Sequence, residues 1–269
     1  MGCGYTGTAV AVLARARGQQ VFATVRSEAR AAALRKQSIA VRADAELQPE
    51  FLEPHIDAST HVVVAYPGEP VTDARLAPVV ARAGALTYVS STGVYDEHEG
   101  VLDQHTPVPA RPSERARRLL DAEQRFVALG ASVLRCPGIY GPDRGLHMRV
   151  LRGEHRIAGD GRRWLSRIHV ADLAQLLLAA GAHAARPSTF VVGDREPALQ
   201  IDVVRFICET YRVPMPPHVP LDHVHVSLRA NRRVDPSHAL SMLGVTLHVP
   251  SFRVGMAPTA TGITPGALP

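Results

Sequence analysis

Three glycines open the chain in a pattern suited to holding phosphate. Gly2-Cys3-Gly4-Tyr5-Thr6-Gly7 reads G-x-G-x-x-G and runs straight into Thr8 to Arg17, a helix-like stretch rich in Ala, Val and Leu. In such a turn the first glycine permits a tight bend, the second lets a pyrophosphate approach the backbone, and the third lets the helix pack closely on a strand. The amides and dipole of the helix N-terminus then favour negative charge. Gly2, Gly4, Tyr5, Thr6 and Gly7 are therefore candidate phosphate-binding positions. A chance Gly-rich turn would look the same in isolation, but Val21 to Val25 follows as a strand at βαβ distance.

That strand ends in Arg26-Ser27, with Arg30 one helical step further. An acidic residue at this point would bond the ribose hydroxyls of NAD, whereas arginine accommodates the 2′-phosphate of NADP. Arg26 and Ser27 accordingly predict NADP(H) in preference to NAD(H). The alternative is an arginine that merely faces solvent.

The elements that would position these residues alternate along the chain. Strands are expected at Val21 to Val25, His61 to Ala65, Leu86 to Ser90 and Ser132 to Arg135. Helices are expected at Glu28 to Lys36, Leu76 to Ala83 and Ser113 to Leu129, with Gly18, Gly84 and Gly130 at returns where a left-handed cap favours glycine. This alternation implies an α/β fold, a Rossmann-type doubly wound parallel sheet. Only Met1 precedes the Gly-rich turn, so the first strand is expected to be truncated. The dinucleotide-binding domain is read as 1–145. A small C-terminal substrate lobe over 146–256 is interleaved with the last sheet elements, including a helix at Val170 to Ala180, a strand at Thr189 to Val192 and a helix at Asp235 to Leu243. Pro, Thr, Gly and Ala dominate from there on, which predicts a disordered tail over 257–269.

Composition narrows the function classes. The chain has 269 residues, 46% of them hydrophobic, enough for one large core and a smaller lobe. Its net charge of +5 comes from dispersed arginines rather than a basic tract, which speaks against nucleic acid. Cys3, Cys136 and Cys208 are far apart and odd in number, which suits a reducing cytoplasm and argues against a disulfide framework or zinc site. No apolar run is long enough for a membrane span. The 13 histidines include His223 and His225 but no HExxH, so no metal is expected.

Several segments together resemble a family. Val89-Ser90-Ser91-Thr92-Gly93-Val94-Tyr95, Leu134-Arg135-Cys136-Pro137-Gly138-Ile139-Tyr140-Gly141-Pro142, Arg167-Ile168-His169-Val170-Ala171-Asp172-Leu173 and Arg232-Arg233-Val234 through Leu243-Gly244 are similar, in order and spacing, to motifs of the extended short-chain dehydrogenases, the NAD-dependent epimerase/dehydratase family. The resemblance implies a nicotinamide cofactor, a small carbonyl or sugar-like substrate, Pro137 in the nicotinamide pocket, and a fold that allows a homodimer. It also implies a Ser/Thr, Tyr and Lys doing the chemistry. Ser91 falls on the Ser/Thr position. Counting back from Ala122-Glu123, Arg115 falls where the Tyr of YxxxK belongs and Leu119 where the Lys belongs, as in the atypical members of the family. Arginine stays protonated and is a poor general base, so Arg115 is a candidate for binding an anion or polarising a carbonyl. Two functions stay open: a reductase or epimerase-like enzyme, and a non-catalytic sensor or regulatory module that binds the dinucleotide.

Overall fold

The computed structural model describes residues 1–183, 187–224 and 229–264. Alternating elements build its sheet: α1 (Tyr5–Ala16), β1 (Phe22–Val25), α2 (Glu28–Arg35), β2 (Ala40–Ala43), α3 (Pro49–Leu52), β3 (His61–Val64), α4 (Pro70–Val80) and β4 (Ala85–Ser91). After β5 (Glu99–Leu102) come α5 (Glu114–Ala128), β6 (Ser132–Cys136) and β7 (Gly138–Tyr140). β1 pairs with β2, and a parallel sheet runs in the order Thr189–Val191, β6, β4, β3.

Residues 1–3 bridge these two sheets. Cys3 N donates to Thr24 O at 2.7 Å, Ala65 N to Met1 O at 3.0 Å, and the Met1 amino group to Val63 O at 2.6 Å. Three residues thus stand where a full strand was expected to be shortened, and they deliver the Gly-rich turn to the end of the sheet.

Helices cover both faces. On one, α1 and helix Val170–Ala182 bring Val10, Leu173, Leu176 and Leu177 against Leu134, Ile168 and Phe190. On the other, Leu76 and Val79 of α4 and Phe126 of α5 pack on Val62, Val64 and Tyr88. Burying each such side chain contributes about 1.5–3 kcal/mol, which holds the layers in register. A further apolar cluster, including Tyr140, Val150, Ile157, Val204, Tyr211 and Phe252, lies among the C-terminal elements.

Several expectations are corrected. α4 begins at Pro70, six residues before the expected Leu76, because Glu69 caps Val71 N and Thr72 N and proline is tolerated in the first turn. Gly18 and Gly130 have φ of +78° and +83°, as caps require, but Gly84 serves close packing: a methyl there would lie 1.9 Å from Ala58 O. β5 and its partner strand Asn231–Val234 were not foreseen, nor was helix Gln200–Tyr211. The tail expected from residue 257 is docked through its first part. Pro258–Thr261 forms a helical turn, and Thr261 Oγ1 lies 2.6 Å from Tyr211 OH. Residues 265–269 and His225 lie outside the described residues.

Candidate active site

Sheet register fixes where the site lies. In the parallel pairs Val64 stands beside Tyr88 and Ser91 beside Cys136, so Ala65 to Gly68, Ser91 to Gly93 and Pro137 emerge together at the carboxyl edge. That edge is where a doubly wound sheet receives its ligand. The Gly-rich turn arrives at the same edge through Met1 to Cys3.

The three glycines divide the expected roles. Gly2 has φ of +71°, and a methyl on it would lie 2.8 Å from Tyr66 Cβ, so both its backbone and its neighbour require glycine. Gly7 packs against the turn itself, with Gly2 O 3.0 Å from where its Cβ would be. Gly4 is different. It is exposed, and a methyl there would meet nothing nearer than Gly2 O at 3.9 Å. Gly4 is also the N-cap of α1, which has no side-chain cap and no acidic residue in its first turn. The first-turn amides beside Gly4 thus face an open cradle, which fits a pyrophosphate.

The predicted cofactor residues separate on inspection. Thr6 is buried. The Tyr5 side chain turns toward Gly141, and Arg144 stacks over its ring at 5.0 Å, so any part it takes in phosphate binding is through its amide. Burial and the nearby Asp143 charge raise its phenol above the ordinary range. Ser27 caps α2 by accepting from Arg30 N at 3.4 Å. Arg26 is exposed at the end of β1. Arg30, not Arg26, reaches the Gly-rich turn, with Nη2 2.7 Å from Thr8 Oγ1 and 3.4 Å from Gly4 O. Pro137 is half-buried between β6 and β7.

Ser91 and Arg115 are brought together across Gly93. A methyl on Gly93 would lie 3.2 Å from Ser91 Oγ, 3.5 Å from Arg115 Nη2 and 3.0 Å from Leu119 Cδ1. Ser91 Oγ accepts from Gly93 N at 3.0 Å, capping the short helix Thr92–Tyr95 and leaving its hydroxyl proton for another acceptor. A cleft of about 450 Å³ opens alongside, lined by Pro67, Gly68, Tyr88, Arg115, Arg118 and Leu119, among others. Tyr88 OH accepts from Gly68 N at 3.2 Å, and burial raises its phenol, so it stays protonated. Tyr95 and Tyr140 are buried with their hydroxyls committed: Tyr95 OH accepts from Arg135 at 2.9 Å, and Tyr140 OH donates to Ser251 O at 3.2 Å.

Beneath Ser91 lies a charged network that the sequence did not announce. Ser90 Oγ donates to Glu123 at 2.5 Å, and Arg135 binds the same carboxylate with its Nε and Nη2, the latter at 2.7 Å. Burial works against the Arg135 charge, but Glu123 outweighs it and holds the guanidinium above its usual range. Glu123 thereby locks α5, the helix that carries Arg115, onto β4 and β6. Arg232 was also missed as a site residue. Its Nη1 donates to Thr92 O at 2.8 Å and Asp96 O at 2.9 Å, and burial followed by the Arg115 charge lowers its pKa.

The remaining family-like motif is structural. His169 caps helix Val170–Ala182 with Nδ1, and Asp172 accepts from His248 N at 2.8 Å and Val249 N at 2.9 Å. Among the described residues no His, Cys, Asp or Glu cluster could hold a metal, and no helix is long and apolar enough to cross a membrane.

No family model matches the chain, and no curated protein matches it in sequence. Solved structures do. A functionally unknown conserved protein from Silicibacter pomeroyi is 29% identical over 97% of this chain and 96% of its own, with a TM-score of 0.81. MoeE5, solved with UDP-glucose and NAD, is 21% identical over 97% and 95%, with a TM-score of 0.76. UDP-glucuronic acid 4-epimerase from Bacillus cereus, solved with NAD, is 16% identical over 94% and 93%, with a TM-score of 0.74. The protein thus shares the Rossmann-type α/β fold of these structures. Within that fold its sheet edge carries the Gly-rich turn and a cleft lined by Arg115, with Ser91 Oγ and Arg115 Nη2 both close to Gly93.

Proposed function

We propose that this protein binds NADP(H) on the Gly2–Gly7 turn and acts as an atypical epimerase/dehydratase-like oxidoreductase on a small carbonyl or sugar-like substrate. The observation that carries the reading is the open face of Gly4 at the uncapped start of α1, on the carboxyl edge of a parallel sheet. NAD in the solved relatives supports a nicotinamide cofactor. Arg30, fixed beside the turn, and exposed Arg26 favour the phosphorylated form, because both supply positive charge where the adenosine ribose would lie.

A bound nicotinamide would supply or accept the hydride. The chain's part is to steady the substrate oxygen with the Ser91 hydroxyl, to place a fixed positive charge beside it through Arg115, and to shape the pocket with Leu119 and Pro137. Arg115 cannot take up a proton, and Tyr88 is held protonated, so neither serves as general base near neutral pH. That makes reduction, with the proton drawn from a protonated hydroxyl or from water, a better fit than abstraction from an alcohol.

The second reading, a sensor that binds the dinucleotide without turnover, is favoured by Arg115 and Leu119 standing where YxxxK would be. Calorimetric titration with NADPH and NADH, followed by NADPH oxidation with a panel of carbonyl compounds, separates the two. Binding with turnover supports the enzyme, and binding without turnover supports the sensor. Failure to bind either nucleotide removes both.

A further inference from the structure

The cleft beside Ser91 has an uncompensated charge. Arg118 forms an ion pair with Glu114, so two of the charged residues lining the cleft neutralise each other. Arg115 does not share in this: among the described residues no carboxylate stands within ion-pair distance of it. Behind it, Arg232 spends its Nη1 on the carbonyls of Thr92 and Asp96. Asp96, whose charge acts on that arginine, is engaged by Ser113 through both N and Oγ. Arg115 Nη2, Ser91 Oγ and the apolar Leu119 Cδ1 therefore all lie within 3.5 Å of the point a Gly93 methyl would occupy, with the Arg115 charge unmatched and the Arg232 charge acting on it.

We infer that the cleft takes a substrate bearing a carboxylate next to its carbonyl, with Arg115 as the carboxylate's partner and Ser91 as the donor to the carbonyl oxygen. Arginine presents a planar fork of donors that matches a carboxylate in two parallel hydrogen bonds. A neutral sugar or ketone would leave that fork to water, whereas a 2-oxo acid fills both demands in one small unit. Leu119, one turn along α5 from Arg115, puts an apolar end in the same cleft where the resemblance would have an ammonium. Arg118 and Glu114 already satisfy each other, so Arg115 sets the preference. The inference deepens the proposed function and rests on the Ser91 cleft being the place where the substrate reacts.

Saturation-transfer NMR with pyruvate, and with its uncharged methyl ester, tests it on the full chain with and without saturating NADPH. Pyruvate is expected to bind at least tenfold more tightly than the ester, about 1.4 kcal/mol. Arg115→Gln should remove most of that preference, with pyruvate losing more affinity than the ester, and Arg115→Lys should retain part of it. Arg115 is exposed, so the melting temperature of both variants should match the wild type. Equal binding of the two probes, absence of pyruvate binding at millimolar concentration, or an unaltered preference in Arg115→Gln would overturn the inference. Displacement of pyruvate by NADPH would also overturn it, by assigning the charge to cofactor phosphate. Loss of NADPH binding with the pyruvate preference intact would instead count against the proposed function.

Discussion

Arg30 Nη2 donates to Thr8 Oγ1 at 2.7 Å, tying the helix after β1 to the first turn of α1. The guanidinium is thereby held in place before any ligand arrives, at the side of the cradle where an adenosine ribose would rest. Arg30→Ala should weaken NADPH at least about tenfold, since hydrogen bonds to charged groups carry roughly 1.5–3 kcal/mol, and should leave NADH nearly unchanged. Arg26→Asp should act in the same direction by replacing attraction with repulsion. Titration of each variant with both nucleotides checks this. Equal losses for NADPH and NADH would show that neither arginine reads the 2′-phosphate.

Ser91 Oγ caps Gly93 N, and one substitution separates that cap from the catalytic part proposed for it. Ser91→Ala should cost about 1 kcal/mol of stability, as lost N-caps do. It should also depress turnover much more than cofactor affinity. Unchanged turnover, measured as NADPH oxidation, would remove Ser91 from the chemistry and leave only the cap.

Glu123 and Glu114 both belong to α5, but the pair Glu123 forms with Arg135 of β6 is largely buried and the pair Glu114 forms with Arg118 is exposed. Glu123→Ala should destabilise the protein by about 3–5 kcal/mol, because it strands a buried guanidinium. Glu114→Ala should cost less than about 1 kcal/mol. Urea unfolding of the two variants gives both numbers, and comparable losses would contradict the assigned difference in burial.

His155 is fully buried, and its pKa is lowered to about 4 by burial and then by the charges of Arg149 and Arg156. The unfolded chain takes up this proton near the ordinary histidine value of about 6.5. Between those two values the unfolded state binds more protons than the native one, so stability falls as pH drops from about 6.5 to about 4. His155→Gln should flatten that part of the profile. Melting temperatures of wild type and variant across this range test it, and parallel slopes would contradict it.

What the sequence discloses follows from how locally each feature is encoded. The cradle is legible because the φ of Gly2 and the packing of Gly7 on Gly2 O are local, although the close approach of Tyr66 to Gly2 is not. Ser91 and Arg115 are reached through the family resemblance, and α5 runs from Glu114 to Ala128, within the expected Ser113 to Leu129, with Ser113 as its cap. Glu123 with Arg135, and Arg232 with Thr92, are not legible, since each pair joins segments that only the folded sheet brings together. Arg30 was noticed but ranked behind Arg26, because sequence position does not show which side chain folds back onto Thr8. Helix Gln200–Tyr211 did leave a trace, in Val203, Val204, Ile207 and Tyr211 at helical spacing, but it begins without a side-chain cap.

The central claim is that the amides at the start of α1 hold a pyrophosphate, and Gly4→Asp tests it most directly. An aspartate at this N-cap would accept hydrogen bonds from the first-turn amides, stabilising α1 while placing negative charge where the phosphates would sit. The account predicts saturable NADPH binding to the wild type by calorimetry, and its loss in a variant whose melting temperature is unchanged or higher. NADPH binding of equal strength to both proteins would contradict it.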